Sequence, residues 1–392
     1  MTDAGGAIAA PMRDAGPPYF TRDPRHVHLN WTGDPATTVT ALWSTDESAP
    51  PGVVEYGPGD GVAQATVQTV GSRGNTVTVH EATLRGLRPD TTYRYRVGSE
   101  GHWSREYHFK TAPAPDAMDP TVNFVALGDS RDDVSVWGQT QARIAGTLTG
   151  RDQPDFQVFT GDAVLFGPIQ DLWNRWFDAA PEAFANMPWV VVHGNHEVLA
   201  VNYLAQFAGP PEPGGEQYYA LDYGPLHLVV LNDSPLDLDP RIISETEARW
   251  LDRDLAAVDR RRTPWVIAMH HKSPYTSSMH RLDADGALLR EAWVPVYDRH
   301  HVDLVLCGHD HNIEVTHPLR AGRPVGPREG TVYVTTAGAG ANLYTAGTSE
   351  FTRYSESVVN FVQVRATRAR LELTPYRLDG TVIMGARVTL ER

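Results

Sequence analysis

The chain contains a single cysteine, Cys307, among its 392 residues. One thiol excludes an intramolecular disulfide and any zinc site built from several cysteines. Lysine is almost as rare, at positions 110 and 272 only, so arginine carries nearly all the positive charge. No stretch approaches the roughly 20 apolar residues that a membrane-spanning helix requires. Residues 1–16 include acidic residues and no apolar stretch, so no signal peptide is predicted.

The net charge limits the kinds of partner that we expect. The formal net charge is −14, whereas nucleic acids and anionic membrane surfaces attract basic patches, so we expect neither as a partner. A small phosphorylated substrate remains compatible, because bound cations can reverse the local field. Apolar residues make up 41% and charged residues 21% of the chain, as in ordinary globular proteins. The length exceeds the roughly 250–300 residues of a single core, which predicts two domains.

The pattern of residues changes along the chain. Residues 1–18 are rich in small residues, glycine and proline, and are predicted to form a flexible tail. Residues 19–112 show short alternating runs between Gly, Pro and Asp turns, which predicts an all-β sandwich of the immunoglobulin or fibronectin type. Residues 113–120 are proline-rich and read as a linker. Residues 121–392 alternate strands and helices, which predicts an α/β layered domain of βαβαβ units, with two sheets flanked by helices.

The second domain has strong local patterns. Strands are predicted at 122–127, 156–160, 189–192, 226–231, 265–269, 302–306 and 332–336. Helices are predicted near 137–148, 171–185, 244–258 and 285–300. Ser244 and Glu247 have the spacing of a capping box at the start of the third helix.

Potential metal ligands follow several of these strands. Five segments, in chain order, are Gly128-Asp129, Gly161-Asp162, Gly194-Asn195-His196-Glu197, His270-His271 and Gly308-His309-Asp310-His311. The carboxyl ends of strands in α/β sheets are where ligand sites form. The glycines would let the backbone turn sharply at these ends. Asp, Asn and His side chains together are the ligand set of a hydrolytic site with two metal ions.

At these residues the chain resembles the calcineurin-like metallophosphoesterases, and within them the purple acid phosphatases. Residues 53–57 and 89–98 resemble the N-terminal, fibronectin type III-like domain of that group, and residues 86–93 resemble a tyrosine corner. The resemblance implies two metal ions, of iron, manganese or zinc, which suit oxygen and imidazole ligands. It implies that Asp162 bridges the two metals. It also implies the remaining ligands: Asp129 and His311 at one site, and Asn195, one of His270 and His271, and His309 at the other.

Further roles follow from the same resemblance. In the family, the ligand histidine precedes a tyrosine by four residues and another histidine by nine. His271 meets both conditions, with Tyr275 and His280, and His270 meets neither. We therefore favour His271, and His280 would lie near the leaving group unless it is a solvent-exposed loop residue. His196 would bind phosphate or protonate the leaving group.

Two positions depart from the family pattern. Leu165 stands where purple acid phosphatases have the tyrosine that ligates ferric iron, so no purple colour is expected. Arg131 stands where the family usually has glycine or histidine. Its guanidinium would either bind the substrate phosphate or form a salt bridge with Asp132, Asp133 or a remote carboxylate. Both alternatives stay open.

The predicted function is the hydrolysis of phosphate esters, most simply monoesters, by a metal-bridged hydroxide that attacks phosphorus. A phosphodiesterase with the same site is the nearest alternative. A non-catalytic binding protein with a degenerate metal site is the alternative from a different class. The expected partner is a small phosphorylated substrate, and the sequence predicts no oligomeric state. The resemblance implies an extracytoplasmic location, although the sequence itself assigns no compartment.

Overall fold

The computed structural model describes residues 19–59, 61–72, 75–211, 214–215, 217–234, 241–279 and 284–392. The predicted tail, residues 1–18, and the candidate site residue His280 lie outside the described residues. All other candidate site residues lie within them. No helix in the described ranges is long and apolar enough to span a membrane.

The first part of the chain is all-β, as predicted. Its strands are β1 (Arg25–Asn30), β2 (Thr38–Thr45), β3 (Val53–Gly57), β4 (Gly61–Gln64), β5 (Thr66–Ser72), β6 (Asn75–Arg85), β7 (Thr92–Ser99), β8 (His102–Trp103) and β9 (Tyr107–Lys110). One sheet has the order β1-β2-β6-β5, and the other has the order β4-β3-β7-β8 with β9 paired to β7. The Tyr93 hydroxyl accepts a hydrogen bond from the backbone N–H of Arg88 at 2.9 Å, which confirms the tyrosine corner.

The second part combines two large sheets with helices. Its strands are β10 (Val122–Leu127), β11 (Phe156–Phe159), β12 (Trp189–Val191), β13 (Tyr219–Tyr223), β14 (Leu226–Val230), β15 (Trp265–Met269), β16 (Leu304–Cys307), β17 (Ile313–Thr316), β18 (Leu319–Arg320), β19 (Arg323–Pro324), β20 (Val332–Thr336), β21 (Thr352–Glu356), β22 (Asn360–Ala366), β23 (Arg370–Arg377) and β24 (Val388–Glu391). One sheet runs β12-β11-β10-β22-β23-β24, and the other runs β13-β14-β15-β16-β20-β17-β21. All seven predicted strands are present, to within two residues at each end.

The helices differ from the prediction in length: the first begins three residues earlier than predicted, and the others are shorter or divided. They are α1 (Val134–Thr147), α2 (Gln170–Asp178), α3 (Pro181–Asn186), α4 (Val201–Gln206), α5 (Ala248–Ala257), α6 (Ala284–Ala292) and α7 (Val294–His300), with a π-helical stretch at Ile242–Glu247 and 3₁₀ turns at Gly150–Asp152 and Met384–Ala386. The helices predicted at 171–185 and 285–300 are each split in two. Pro181 and Pro295 lie in the first turn of the second piece, where a proline's missing N–H is tolerated and the preceding helix cannot continue through it.

The predicted capping box is wrong. Ser244 lies inside the π-helical stretch rather than at a helix start. The Glu247 carboxylate is buried and accepts a hydrogen bond from the backbone N–H of Asn232 at 3.0 Å. The helix therefore begins earlier than the motif suggests, and Glu247 serves a neighbouring loop.

The N-terminal sheets pack directly on the second part of the chain. The ring of Trp31 lies 5.7 Å from that of Phe156 and 5.4 Å from that of Tyr223, all within one buried apolar cluster. The Asn30 side chain donates a hydrogen bond to the backbone carbonyl of Trp189 at 2.8 Å. Trp189 opens β12, the strand that leads into the Asn195 segment. The β-rich region therefore braces one of the strands that carry candidate ligands.

Parallel pairing brings the ligand segments to a common edge. β10, β11 and β12 are parallel neighbours in one sheet, and β14, β15, β16 and β20 are parallel neighbours in the other. The candidate ligands follow the carboxyl ends of β10, β11, β12, β15 and β16. These ends meet where the two sheets face each other, as α/β folds predict.

Candidate metal centre

Backbone hydrogen bonds tie the ligand segments to one another. The N–H of Asp129 donates to the carbonyl of Gly161 at 2.9 Å, and the N–H of Ser130 donates to the carbonyl of Asp162 at 3.1 Å. The N–H of Gly308 donates to the carbonyl of His271 at 2.8 Å. The segments after β10 and β11, and those after β15 and β16, therefore form two fixed pairs.

Three candidate ligands adopt a left-handed backbone. Asp129 and Asp162 each have φ of 58°, and His309 has φ of 68°. Aspartate and histidine are among the few non-glycine residues that enter this region, at a cost of about 1–3 kcal/mol each. The sharp turns are therefore made largely by the ligand residues themselves. This corrects the expectation that the preceding glycines supply them, which holds only for Gly161, with φ of 96°.

The other glycines provide space. A Cβ at Gly128 would overlap the hydroxyl of Thr160. At Gly308 it would lie 2.6 Å from Asp129 Oδ2, and at Gly194 it would overlap the backbone nitrogen of Asp162. Side chains are excluded here because the strand ends converge within van der Waals contact.

One cluster of ligand atoms surrounds Asp162. Asp162 Oδ1 lies 3.3 Å from His271 Nε2, which lies 3.2 Å from Asn195 Oδ1. Asp162, His271 and His309 offer ligand atoms that all lie within 4.8 Å of one another. His271 Nδ1 donates to the carbonyl of Thr160 at 2.8 Å, so its Nε2 faces the cluster. This orientation is the one that metal-ligating histidines use.

A second cluster adjoins the first. His311 Nε2 lies 3.3 Å from Asp129 Oδ1, while His311 Nδ1 donates to the carbonyl of Asn342 at 2.6 Å. Asp129 Oδ2 accepts the backbone N–H of His309 at 2.9 Å. The second cluster thus has the same construction as the first, with a backbone carbonyl fixing the imidazole and a carboxylate beside Nε2.

The electrostatics of both clusters favour cations. Asp129 and Asp162 are 0% and 1% exposed, and buried carboxylates are costly unless paired with cations. Burial would raise the pKa of Asp162, but the charge of protonated His271 and its hydrogen bond hold that pKa below the usual range. Burial would lower the pKa of His271, but the carboxylates of Asp162 and Asp129 raise it to about 10. Carboxylate, amide and imidazole donors fit iron, manganese or zinc.

The structure distinguishes the paired histidines. His270 Nδ1 donates to the carbonyl of Lys272 at 2.7 Å and lies 3.5 Å from Asp233 Oδ2. Its ring packs 5.0 Å from that of Trp293. Successive residues at the end of a strand point to opposite faces, so only His271 of the pair faces the clusters.

His196 and Arg131 both lie beside Asp162 Oδ2. His196 Nδ1 donates to the carbonyl of Leu165 at 2.7 Å, and its Nε2 lies 3.8 Å from Asp162 Oδ2. Arg131 Nε lies 3.5 Å from the same oxygen, while its Nη1 donates to Asp132 Oδ1 at 2.7 Å. Arg131 therefore forms the salt bridge with Asp132 that one alternative predicted. Its guanidinium also lies beside the metal centre, where the other alternative, binding of the substrate phosphate, requires it. The Leu165 side chain is half exposed.

Glu197 has a structural role that the sequence analysis did not assign. Its buried carboxylate accepts three backbone N–H groups, from Asp162 at 3.0 Å, Ala163 at 2.7 Å and Gly194 at 2.8 Å. Burial raises the pKa of Glu197 to about 7, and the charge of Asp162 acts in the same direction. The carboxylate joins the Asp162 segment to the Asn195 segment. The only sign of this role in the sequence was the position of Glu197 two residues after Asn195.

Asp285 is a second residue that the sequence analysis missed. Its Oδ2 lies 3.9 Å from His309 Nε2, and its Oδ1 lies 3.2 Å from Lys272 Nζ. The interaction with His309 is the main cause that lowers the pKa of Asp285. Asp285 belongs to a helix rather than to a strand end, so no motif pointed to it.

Comparison with known families agrees with this architecture. Residues 24–111 match the family described as purple acid phosphatase, N-terminal domain, and residues 132–312 match the calcineurin-like phosphoesterases. The fold and the clustered ligands thus define a metallophosphoesterase.

Individual relatives show which group within the calcineurin-like phosphoesterases the chain resembles. Purple acid phosphatase 22 of Arabidopsis thaliana is 30% identical over 311 residues, which cover 74% of this chain and 67% of that protein. An uncharacterized protein of Mycobacterium tuberculosis is 27% identical over 360 residues, covering 81% and 68%. The solved structure of a purple acid phosphatase from yellow lupin seeds shares the fold, with a TM-score of 0.79 at 22% identity, covering 95% of this chain and 75% of that one. The chain belongs to the purple acid phosphatase family.

Membership makes the chain a phosphoric ester hydrolase, and the family implies a dinuclear metal centre. It also confirms the predicted fold class, an N-terminal β-rich domain followed by an α/β metallophosphoesterase fold. The predicted domain boundaries and the roles of individual residues stay predictions.

Proposed function

We propose that the protein hydrolyses phosphomonoesters at two metal ions that share Asp162. The position of the Asp162 carboxylate carries this proposal. Its Oδ1 lies 3.3 Å from His271 Nε2 of the first cluster, and its Oδ2 lies 3.5 Å from Arg131 Nε. The Nη2 of the same guanidinium lies 3.5 Å from His311 Nε2 of the second cluster. A buried carboxylate with one oxygen toward each group of ligands is suited to bridge two cations.

The remaining ligands divide between the two positions. One cation would be held by Asp162, Asn195, His271 and His309, and the other by Asp162, Asp129 and His311. When bound, the two cations lower the pKa of water and neutralise charge on the phosphate oxygens. The chain prepares both positions by fixing its histidines, because the carbonyls of Thr160 and Asn342 occupy their Nδ1–H groups.

In this proposal His196 would transfer the proton to the leaving group. Its Nδ1 is committed to the carbonyl of Leu165, so the proton is exchanged at Nε2. That atom lies 3.8 Å from Asp162 Oδ2, and 27% of the side chain is exposed. Nε2 would therefore face the ester oxygen of a substrate held at the metals. A positioned histidine in this role contributes about 10²–10⁴-fold to the rate.

Arg131 supports a monoester over a diester. Its guanidinium lies between Asp162 Oδ2 and His311 Nε2, with 3.5 Å to each atom. It would add a third positive group next to the two cations and donate to a non-bridging oxygen. A phosphomonoester carries one more ionisable oxygen than a diester, so this concentration of positive charge favours the monoester.

Metal content and hydrolysis should be measured together on the parent protein and on Asp162→Ala. We expect two metal ions per parent chain, faster hydrolysis of p-nitrophenyl phosphate than of its bis-ester, and loss of both metal and hydrolysis in the variant. Asp252→Ala is the matched control, because Asp252 pairs with Arg299 and His300 outside the centre. Undiminished hydrolysis by Asp162→Ala would sink the bridging role. Faster cleavage of the bis-ester would replace the monoester assignment.

A further inference from the structure

Large apolar side chains are exposed around the candidate metal centre. We define the apolar rim as five of them: Leu165 (50% exposed), Phe166 (47%), Ile169 (45%), Met279 (77%) and Leu343 (40%). Isolated exposed apolar residues are normal on protein surfaces, whereas grouped ones mark binding sites. Four of them belong to segments that hydrogen-bond to His196 or His311, and Met279 hydrogen-bonds to the second of these segments.

One side of the rim is attached to His196. The carbonyl of Leu165 accepts from His196 Nδ1 at 2.7 Å. The N–H of Gly167 donates to the carbonyl of His196 at 2.9 Å, so the backbone on both sides of Phe166 is fixed. The N–H of Ile169 donates to the carbonyl of Phe166 at 3.1 Å and keeps Ile169 in the same turn. These three residues therefore lie in the turn that is hydrogen-bonded to the proposed proton donor.

The other side of the rim is attached to His311. Leu343 lies between Asn342, whose carbonyl accepts from His311 Nδ1 at 2.6 Å, and Tyr344, whose ring stacks on His311 at 4.0 Å. The N–H of Met279 donates to the carbonyl of Thr345 at 3.2 Å, which places Met279 alongside this segment.

The two sides flank one opening. His311 Nε2 lies 3.5 Å from Arg131 Nη2, and Arg131 Nε lies 3.5 Å from Asp162 Oδ2. The same oxygen lies 3.8 Å from His196 Nε2. These contacts connect His311 to His196 through Arg131 and Asp162. We call these four side chains the charged floor of the site. A phosphate bound on this floor has apolar side chains on both flanks.

This arrangement gives the substrate two different environments. The charged floor suits the phosphate, and a leaving group that takes its proton from His196 would lie toward the segment that contains Leu165 and Phe166. Exposed side chains of this size add little to folding, because only apolar surface removed from water is stabilising. They become favourable contacts when an apolar group covers them.

We propose that the apolar rim selects phosphomonoesters whose leaving group is an apolar alcohol, aryl or alkyl, with Leu165 and Phe166 as its main contacts. This inference rests on the proposed function. It adds the chemical class of the leaving group, which the metal ligands do not determine.

Matched esters test the proposal. Ethyl and n-hexyl phosphate have alcohols of nearly equal acidity, so a difference in kcat/KM reports contacts with the chain rather than intrinsic reactivity. We expect the parent protein to favour hexyl over ethyl phosphate by about tenfold, a modest value for four added methylenes because the rim is open to water. Phe166→Ala should reduce this ratio by about fivefold. Val62→Ala, which removes an apolar side chain 56% exposed on the N-terminal sheet, should leave the ratio unchanged.

Each outcome has a separate meaning. Equal kcat/KM for both esters in an active parent would overturn the rim proposal and leave the proposed function intact. A parent that holds two metals but cleaves neither these esters nor p-nitrophenyl phosphate would overturn the proposed function itself. An unchanged ratio with a changed sedimentation coefficient in Phe166→Ala would make the rim an interface between copies of this chain. Hexyl phosphate in solution and phosphatidate in vesicles are both apolar monoesters. A higher kcat/KM for hexyl phosphate would indicate a free substrate, and a higher kcat/KM for phosphatidate would indicate a membrane-held one.

Discussion

Glu197→Gln tests how far the metal centre depends on a side chain whose hydrogen bonds all come from backbone N–H groups. The two carboxylate oxygens of Glu197 accept three N–H groups, from Asp162, Ala163 and Gly194. A glutamine can accept with one oxygen only, and its NH₂ group would face at least one of these donors. The substitution keeps the shape of the side chain and removes its charge and part of its accepting capacity.

The magnitude follows from the three bonds. If the amide oxygen takes the place of Oε2, it keeps Asp162 and Gly194, and the N–H of Ala163 loses its acceptor. A buried donor without an acceptor costs about 1–3 kcal/mol, and each of the other two bonds weakens by about 1 kcal/mol when its acceptor becomes neutral. Relief of the repulsion between Glu197 and Asp162 offsets part of this loss. We expect unfolding to become about 1–3 kcal/mol easier, and metal affinity to fall about 10–100-fold.

Urea unfolding of the metal-free protein and competition with a chelator measure the two effects. Glu314→Gln is the matched control, because Glu314 is also buried and accepts from the N–H of Ser277 at 2.9 Å and from the hydroxyl of Thr352 at 2.7 Å. There a glutamine can accept from Ser277 and donate to the rotatable hydroxyl. Glu197→Gln with the metal affinity of the parent and of Glu314→Gln would refute the reasoning.

Two further predictions concern pH and colour. Asp222 and Asp254 outweigh the effect of burial and raise the pKa of His227 from 6.5 to about 9, so its stabilisation is complete below pH 6.5 and is lost as pH rises through 9. The free energy of unfolding should fall by up to about 3 kcal/mol over that range, and urea titrations should show a flatter profile for His227→Gln. The iron-loaded parent should show no intense visible absorption band, because Leu165 provides no phenolate; a purple sample would contradict this.

The sequence located the strands of the two large sheets, and the candidate ligand segments at their ends, for one physical reason. Buried parallel strands are continuous apolar runs, as at Val122–Leu127 and Trp265–Met269, so their ends can be located to within two residues. Ligands placed at those ends meet because the sheet topology brings the ends together. The choice of His271 over His270 needed the family resemblance, since local pattern alone does not tell which of two adjacent side chains faces inward.

The two residues near the ligands that the sequence did not reveal depend on contacts between distant segments. Asp285 approaches His309 from a helix, and Glu197 is defined by donors 34 and 35 residues away along the chain. The broken helices have a local cause, Pro181 and Pro295, which the apolar periodicity around them concealed. Strand ends are therefore readable, whereas the groups that fix the ligands become evident only from the packed structure.

Four of the five ligand segments begin with a glycine, and Gly194 shows most clearly whether such a glycine is needed for its backbone freedom or for the space it leaves. Gly194 does not have a left-handed φ in this structure, yet a Cβ there would overlap both the nitrogen and Oδ1 of Asp162 and lie 2.6 Å from Glu197 Oε2. Gly194→Ala should therefore displace Asp162, destabilise the protein by about 1–3 kcal/mol and weaken metal binding. Gly146→Ala is the control, because Gly146 lies in α1 with nothing within 4 Å of its Cβ position.

The control should move stability in the opposite direction. Alanine is favoured over glycine inside a helix by about 0.5–1 kcal/mol, so Gly146→Ala should raise the urea midpoint and leave metal binding unchanged. If Gly194→Ala also raised the midpoint and retained its metals, the close approach at Gly194 would not be what positions Asp162. If it lost metal affinity, the close approach of β11 and β12 at their carboxyl ends would be the feature that holds Asp162 in place. The position of the Asp162 carboxylate would then depend on the absence of one methyl group at Gly194.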